Sequence, residues 1–298
     1  MNSDYIMNTY SPSDLTFESG EGSWLFEKNG EKYLDFASGI AVNSVGHCHP
    51  HLVAEIQRQA SKLIHTSNLY NISQQERLAK RLCNLSFADS VFFANSGAEA
   101  NEGAVKVARR YMYESGKPER NVILCIEGCF HGRTLSMLSA TSKVENRLGF
   151  GPLPDGFRHV GFNDIASLES HCSSDDIAAI MIEPVLGEGG AKSVSKKFFL
   201  KVQELAVKNK FLIISDEVQT GIGRLGTLFG YQNTELKPDI MAIAKGLGGG
   251  VPIGAILATK NVSSAMKPGS HGSTFGGNPL VTASANAVLD ILTEKNFF

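Results

Sequence analysis

From Ser90 onward the chain alternates short apolar runs with segments of helical periodicity. "SVFFAN" leads into a stretch that puts Ala98, Val105, Ala108 and Met112 on one stripe, the spacing of an amphipathic helix. "NVILCIEG", "IAAIMIEPV", "FLIISDEV", "DIMAIAKG" and "IGAILAT" are β-rich runs ended by Gly, Pro or acidic residues, and "KKFFLKVQELAVKNK" is an amphipathic helix between two of them. Strands apolar on both faces and alternating with helices predict a largely parallel sheet covered on both sides. Such sheets bind ligands at the carboxyl ends of their strands, so the residues just after each run carry the functional weight. The opening third is different in texture. "GSWLFEKNGEKYLDF" predicts a hairpin turning at Asn29-Gly30, and a helix is expected from His51 to about Leu63.

The 298 residues leave room for one large α/β domain or two smaller ones. A net charge of −2 gives no pull toward nucleic acid or an anionic membrane. No apolar run is long enough to span a bilayer, and the N-terminus has no basic region followed by an apolar core. Five scattered cysteines, an odd number, argue against a disulfide framework, so a cytoplasmic protein is expected.

Several stretches carry candidate chemistry. In "ANSGAEAN", Ser96 and Glu99 fit a capping box at a strand-to-helix turn; two readings stand, a well-capped helix and nothing more, or a helix start whose Gly97 and Ala98 N–H groups bind phosphate. In "FLIISDEVQTG", Asp216 and Glu217 end a buried strand with side chains on opposite faces, so one faces the functional edge. A carboxylate in that place is costly unless a donor or cation meets it. "GIGRLG" has the spacing of a dinucleotide-binding turn but neither begins at the strand end nor opens a helix, which excludes that reading. Cys125, Cys129 and His131, or His47, Cys48 and His49, lack the paired spacing of a zinc site, and no metal is expected. Lys245 in "AKGLGGG" precedes its glycines, which excludes a P-loop. Its place at a strand end, opposite a phosphate cradle and a buried aspartate, points to Schiff-base chemistry.

Taken together, "NSGAEAN", "GCFHGRT", "IEPVLGEGG", "SDEVQTGIGRLG", "AIAKGLGGGVPIGA" and "GSTFGGNPL" resemble the class III aminotransferases, pyridoxal 5′-phosphate enzymes of the aspartate-aminotransferase fold. Within the class, "SGIAVNSVGHCHP", "SNLYN", "FHGRT" and "HGSTFGGNPL" are most similar to the branch acting on acetylornithine, and His131 stands where ornithine-specific relatives usually carry tryptophan. The resemblance implies a mostly parallel seven-stranded sheet between helices. It divides the chain into an N-terminal segment (1–50), a large cofactor-binding domain (51–280) and the start of a helix (281–298) toward a C-terminal small domain that is expected to be missing.

By the same resemblance, Lys245 bonds covalently to the cofactor and then shuttles the substrate proton, while Asp216 pairs with the pyridine nitrogen. Phe130 and Val218 flank the ring, Gln219 bonds its hydroxyl, and His131 belongs to the same cofactor pocket. Ser96, Gly97 and Ala98 hold the phosphate, joined by Thr274 from the second subunit of a homodimer. Arg133 binds the substrate α-carboxylate, Glu188 selects between substrates, and Ser273 belongs to the substrate site. The implied reaction moves an amino group from N-acetylornithine to 2-oxoglutarate. The alternatives are the ornithine, succinylornithine and 4-aminobutyrate reactions, an aminomutase-like isomerisation, or a shortened subunit without turnover. Leu186 departs from the glutamine usual at its position, and Glu188 is expected to lack an arginine partner supplied by the C-terminal region.

Overall fold

The fold, a computed structural model, is described over residues 5–298. It opens with an antiparallel meander of β1 (Phe17–Glu21), β2 (Trp24–Glu27) and β3 (Lys32–Leu34). The turn expected at Asn29-Gly30 joins β2 to β3, with Gly30 at φ 86° and Asn29 Oδ1 accepting the Glu31 N–H at 2.8 Å. One irregular turn, α1 (Ser38–Ala41), leads to α2 (Pro50–Ala60) and α3 (Ser73–Leu85). Pro50 starts α2 because its missing N–H has no partner in a first turn, and the helix closes three residues before the expected Leu63.

The central sheet contains β4 (Ser90–Ala94), β5 (Val122–Ile126), β6 (Phe157–Val160), β7 (Ile177–Ile182), β10 (Leu212–Asp216), β11 (Ile240–Ile243) and β12 (Gly254–Ala258). A short ribbon, β8 (Val185–Leu186) with β9 (Lys192–Ser193), stands apart from it. The strand order is β4-β12-β11-β10-β7-β5-β6. β12 is antiparallel to both its neighbours, so all the other strands point the same way. The apolar runs predicted every strand of this sheet except β6, whose sequence "FRHV" is half polar because it lies at the sheet's edge. The helices are α4 (Gly97–Glu114), α5 (Leu135–Ala140), α6 (Ile165–Cys172), α7 (Lys196–Asn209), α8 (Lys260–Ser263) and α9 (Pro279–Leu292).

Residue parity sorts the strands between cores. Ile123 and Cys125 of β5, Ala179 and Met181 of β7, and Leu212 and Ile214 of β10 pack against Ala104, Ala108 and Met112 of α4. Their neighbours Leu124, Ile180 and Ile213 face Phe198 and Val202 of α7 instead. Farther along the sheet, Met241 and Ile243 of β11 join Leu78 of α3 and Val288 and Leu289 of α9. α9 is buried along nearly its whole length, which its almost unbroken apolar sequence allows. Gly103 lets α4 come close to β12, since a Cβ there would meet Ile256 Cδ1 at 2.1 Å.

The same parity separates Asp216 from Glu217. Asp216 follows Leu212 and Ile214 toward α4, whereas Glu217 faces the opposite side. Fully buried Glu217 has no cation beside it among the described residues and accepts hydrogen bonds from the N–H groups of Gly230 (2.7 Å) and Tyr231 (2.5 Å) and from Thr220 Oγ1 (2.8 Å). It thereby ties down the segment containing "GIGRLG", which forms turns and opens no helix, as its sequence requires. Removing the acceptor leaves buried donors unmade, at a cost of roughly 3 kcal/mol in all. Glu217→Ala should therefore lower the unfolding free energy by about 3 kcal/mol in urea titrations, and a loss under about 1 kcal/mol would contradict the tie.

Candidate active site

Because β4, β5, β7, β10 and β11 run in one direction, the segments leaving them emerge along one edge of the sheet. A cavity of about 240 Å³ opens there. Gly97, Ala98 and Asn101 line it from α4; Phe130, His131, Gly132 and Arg133 from the segment after β5; and Glu183 and Glu188 from the segment after β7. Asp216, Val218 and Gln219 follow β10 into it, and Lys245 follows β11.

Asp216 is nearly inaccessible to solvent, and its carboxylate is well supplied with donors. Oδ2 accepts from His131 Nδ1 at 2.6 Å and from Asn101 Nδ2 at 2.7 Å, and Oδ1 accepts from the Val218 N–H at 3.0 Å. His131 is held in turn by its own N–H, which donates to Thr141 Oγ1 at 3.0 Å. Burial disfavours a charged imidazole, but Cys129 and Asp216 beside it favour one, and the balance lies well above the ordinary histidine value. Cys125 is fully buried within β5, the position of a small core hydrophobe.

At the start of α4, Ser96 Oγ accepts the Glu99 N–H at 3.2 Å, the expected half of a capping box. The reciprocal half is shifted by one residue, because Glu99 Oε2 accepts from the N–H of Asn95 (2.8 Å), not of Ser96. The N–H groups of Gly97 and Ala98 lie in the first turn, where a helix offers no internal partner. A Cβ on Gly97 would meet Val218 Cγ1 at 2.5 Å, so only glycine allows this wall its present spacing.

Lys245 occupies a short turn joining β11 to β12 and holds a φ of 41°, in the left-handed region. For a non-glycine residue that conformation is costly, and such strain concentrates at functional sites. Burial lowers its pKa against the opposing pull of Asp216, Glu188 and Glu183, with Arg224 adding to the decrease. The glycines that follow keep backbone close to neighbours: a Cβ on Gly246 would meet Ser44 Oγ at 2.2 Å.

The structure thus gathers Gly97, Ala98, Phe130, His131, Arg133, Glu188, Asp216, Val218, Gln219 and Lys245 around one cavity, with Ser96 capping the helix behind it. Ser273 and Thr274 lie elsewhere. Ser273 Oγ donates no bond into the cavity; it accepts from Asn95 Nδ2 (3.2 Å) and the Gly276 N–H (2.9 Å), and Thr274 is exposed. Three cavity residues had no expected role: Asn101, Gly132 and Glu183. Asn101 is one helical turn beyond Ala98, so the helical period could have found it. Glu183 follows Ala179 and Met181 on the α4 side of β7, the same parity that singles out Asp216. It is buried, and its Oε1 and Oε2 accept from the N–H groups of Phe130 (2.9 Å) and Gly187 (3.1 Å). Burial and the Asp216 charge push its carboxyl up to about 7.

A strained lysine, a buried aspartate and a helix N-terminus meeting at the strand ends of a mostly parallel sheet define an α/β enzyme with a cofactor-sized cavity. Comparison with known proteins gives the family. The family model "Aminotransferase class-III" matches residues 5–298, and the chain belongs to that family. It is 51% identical over 98% of its length to an acetylornithine aminotransferase of Agrobacterium fabrum, covering 73% of that protein. It is 46% identical to the acetylornithine aminotransferase of Methanocaldococcus jannaschii, over 97% of this chain and 73% of that one. An acetylornithine aminotransferase structure from Elizabethkingia anophelis superposes with a TM-score of 0.85 at 37% identity, over 97% of this chain and 70% of that one. An ornithine aminotransferase structure from Toxoplasma gondii, described with PLP at its active site, gives 0.93 at 34% identity, over 97% and 69%.

The cofactor of the family is pyridoxal 5′-phosphate, and the residues present fit it. The α4 N-terminus offers uncompensated N–H groups to a phosphate, and Asp216 offers a buried acceptor to a protonated ring nitrogen.

The His131–Asp216 contact also makes a pH prediction. A histidine whose folded pKa is raised adds stability that is complete below its unfolded value, about 6.5, and is lost as pH rises through the folded value. His131→Gln should therefore destabilise the protein most near pH 6, with the deficit against wild type shrinking toward about pH 9 in urea unfolding. A deficit that does not change with pH would show that the contact is uncharged.

Proposed function

We propose that this chain transfers the amino group of N-acetylornithine to 2-oxoglutarate, giving N-acetylglutamate semialdehyde and glutamate, with pyridoxal 5′-phosphate as cofactor. The observation that carries this reading is Lys245, strained, partly desolvated and set in the same cavity as Asp216. The higher identity to acetylornithine aminotransferases, together with His131, favours that donor over ornithine.

When bound, the cofactor supplies an aldehyde for covalent attachment and a conjugated ring that takes up the electron pair left at the substrate carbon. Lys245 Nζ would hold the cofactor and, once free, would move the proton at the amine-bearing carbon of the substrate. Its lowered pKa keeps the amine able to accept that proton. Asp216, fixed by His131 and Asn101, would hold the proton of the ring nitrogen. Phe130 and Val218 would confine the ring, Gln219 would bond its hydroxyl, and the N–H groups of Gly97 and Ala98 with Ser96 would hold the phosphate. Arg133, whose guanidinium lies 5.4 Å from the Phe130 ring centroid, binds the α-carboxylate. Glu188 faces the distal end of the substrate.

The same reading includes a homodimer. Leu69, Tyr70 and Phe275 expose large apolar side chains near Thr274, and Asn68 Nδ2 bonds the Ser273 and Gly276 carbonyls at 3.2 and 3.0 Å, joining the two segments into one surface. A second copy on that surface brings Thr274 to its phosphate and Ser273 to its substrate. The five unpaired cysteines agree with a cytoplasmic setting.

Borohydride reduction of the cofactor-loaded protein should fix the cofactor on the peptide containing Lys245, as read by mass spectrometry. Lys245→Ala should lose the label and about 10³-fold or more of the activity. Labelling at another lysine would overturn the assignment, and a visible absorbance that N-acetylornithine does not convert would overturn the substrate. For the dimer, Phe275→Asp should shift the sedimentation coefficient toward that of a single chain, and a wild-type protein that already sediments as a single chain would refute the shared site.

A further inference from the structure

Glu183 is a buried carboxylate with no salt-bridge partner among the described residues, an arrangement that costs stability unless the group's hydrogen bonds serve a purpose. Its two oxygens face different stretches of main chain. Oε1 accepts from Phe130 in the segment after β5, and Oε2 accepts from Gly187 in the turn between β8 and β9. The first stretch carries Phe130 and Arg133, and the second carries Glu188. The two stretches also touch directly: a Cβ on Gly189 would meet the Gly128 carbonyl oxygen at 2.6 Å. Gly187 is equally confined, since a Cβ there would meet Gln219 Oε1 at 1.8 Å. Neither stretch can shift without moving the other or breaking a bond to Glu183.

We propose that Glu183 is a positioning residue that locks the Phe130–Arg133 segment to the Glu188 turn, so that one carboxylate sets the distance between the cofactor ring and the groups that read the substrate's far end. This rests on the aminotransferase reading for its consequence, while the lock itself is a property of the protein without cofactor. Both oxygens are needed because each serves a separate amide. Glutamine keeps the length but turns an NH₂ toward one of the two N–H donors, and aspartate keeps the charge but falls short of reaching both. Asp216, His131 and Lys245 share the cavity with Glu183, so the test compares segments and does not rely on the pH dependence of activity.

The first measurement is hydrogen–deuterium exchange on the cofactor-free protein. In the wild type, the Phe130 and Gly187 amides should be protected to the same degree as those of β7, and exposed, fast-exchanging amides at both positions would overturn the proposal before any variant is made. In Glu183→Gln and Glu183→Asp, exchange in 128–133 and 187–190 should rise together by about 10-fold, with β10 unchanged. A rise confined to one segment, or to neither, refutes the lock. With cofactor bound, both variants should change the ratio of KM values for N-acetylornithine and 2-oxoglutarate by about 5-fold or more. A fall in active fraction with that ratio unchanged means a purely structural role and overturns the positioning claim. Because the exchange measurement needs neither cofactor nor substrate, it decides the lock even if the chain transaminates neither compound.

Discussion

The carboxylate of Asp216 is the constraint around which the site is arranged. A charge so deeply buried is tolerable only with its lone pairs met, and three donors from three parts of the chain meet them: Asn101 on α4, His131 after β5 and the Val218 N–H after β10. Those contacts fix the height of α4 over the sheet, the path of the segment that carries Phe130, and the turn that leads to Gln219. They also set the field in which Lys245 sits, since Asp216 is the largest opponent of the burial that lowers the lysine's pKa. The absence of side chains at Gly97 and Gly103 follows from the same demand, because α4 must lie close enough for Asn101 to reach.

Much of this was legible in the amino-acid pattern, for physical reasons that can be named. Continuous apolar runs mark strands buried on both faces, and β5, β7, β10, β11 and β12 are of that kind. β6 escaped because an edge strand need not be apolar, and the reversed direction of β12 has no mark in composition at all. Asp216 and Lys245 were legible because an ionisable group at the end of a buried strand is chemically conspicuous. Glu183 satisfies the same criterion and was overlooked, because Pro184 after it reads as an ordinary strand terminator. Asn101 left no comparable signal, since an asparagine in a helix is usually exposed and only its period relative to Ala98 brings it inward.

The two adjacent acids after β10 show how similar residues diverge through geometry. Asp216 and Glu217 are neighbours in sequence, both buried and both hydrogen-bonded. One faces a cavity and takes side-chain donors that leave it able to serve a ligand. The other faces packed main chain and organises a loop that would otherwise need its own helix or strand. The alternation of strand side chains converts a two-residue motif into two separate duties, and no property of either residue alone would separate them.

The reversal of β12 has a mechanical consequence for the lysine. A parallel connection would leave Lys245 at the mouth of a crossover fastened farther away, whereas the antiparallel return makes the connection over 244–253 a strap fastened at both ends to adjacent strands. One end is held by β11 and the other by β12, paired from Ile243 with Ala255 to Ile240 with Ala258. Gly254 brings the strap against the main chain of Ser96, where a Cβ would meet the carbonyl oxygen at 2.3 Å. The backbone under Lys245, two residues beyond Ile243 at the end of β11, is thus anchored by the sheet, and most of the reach of this residue is that of its four-carbon side chain.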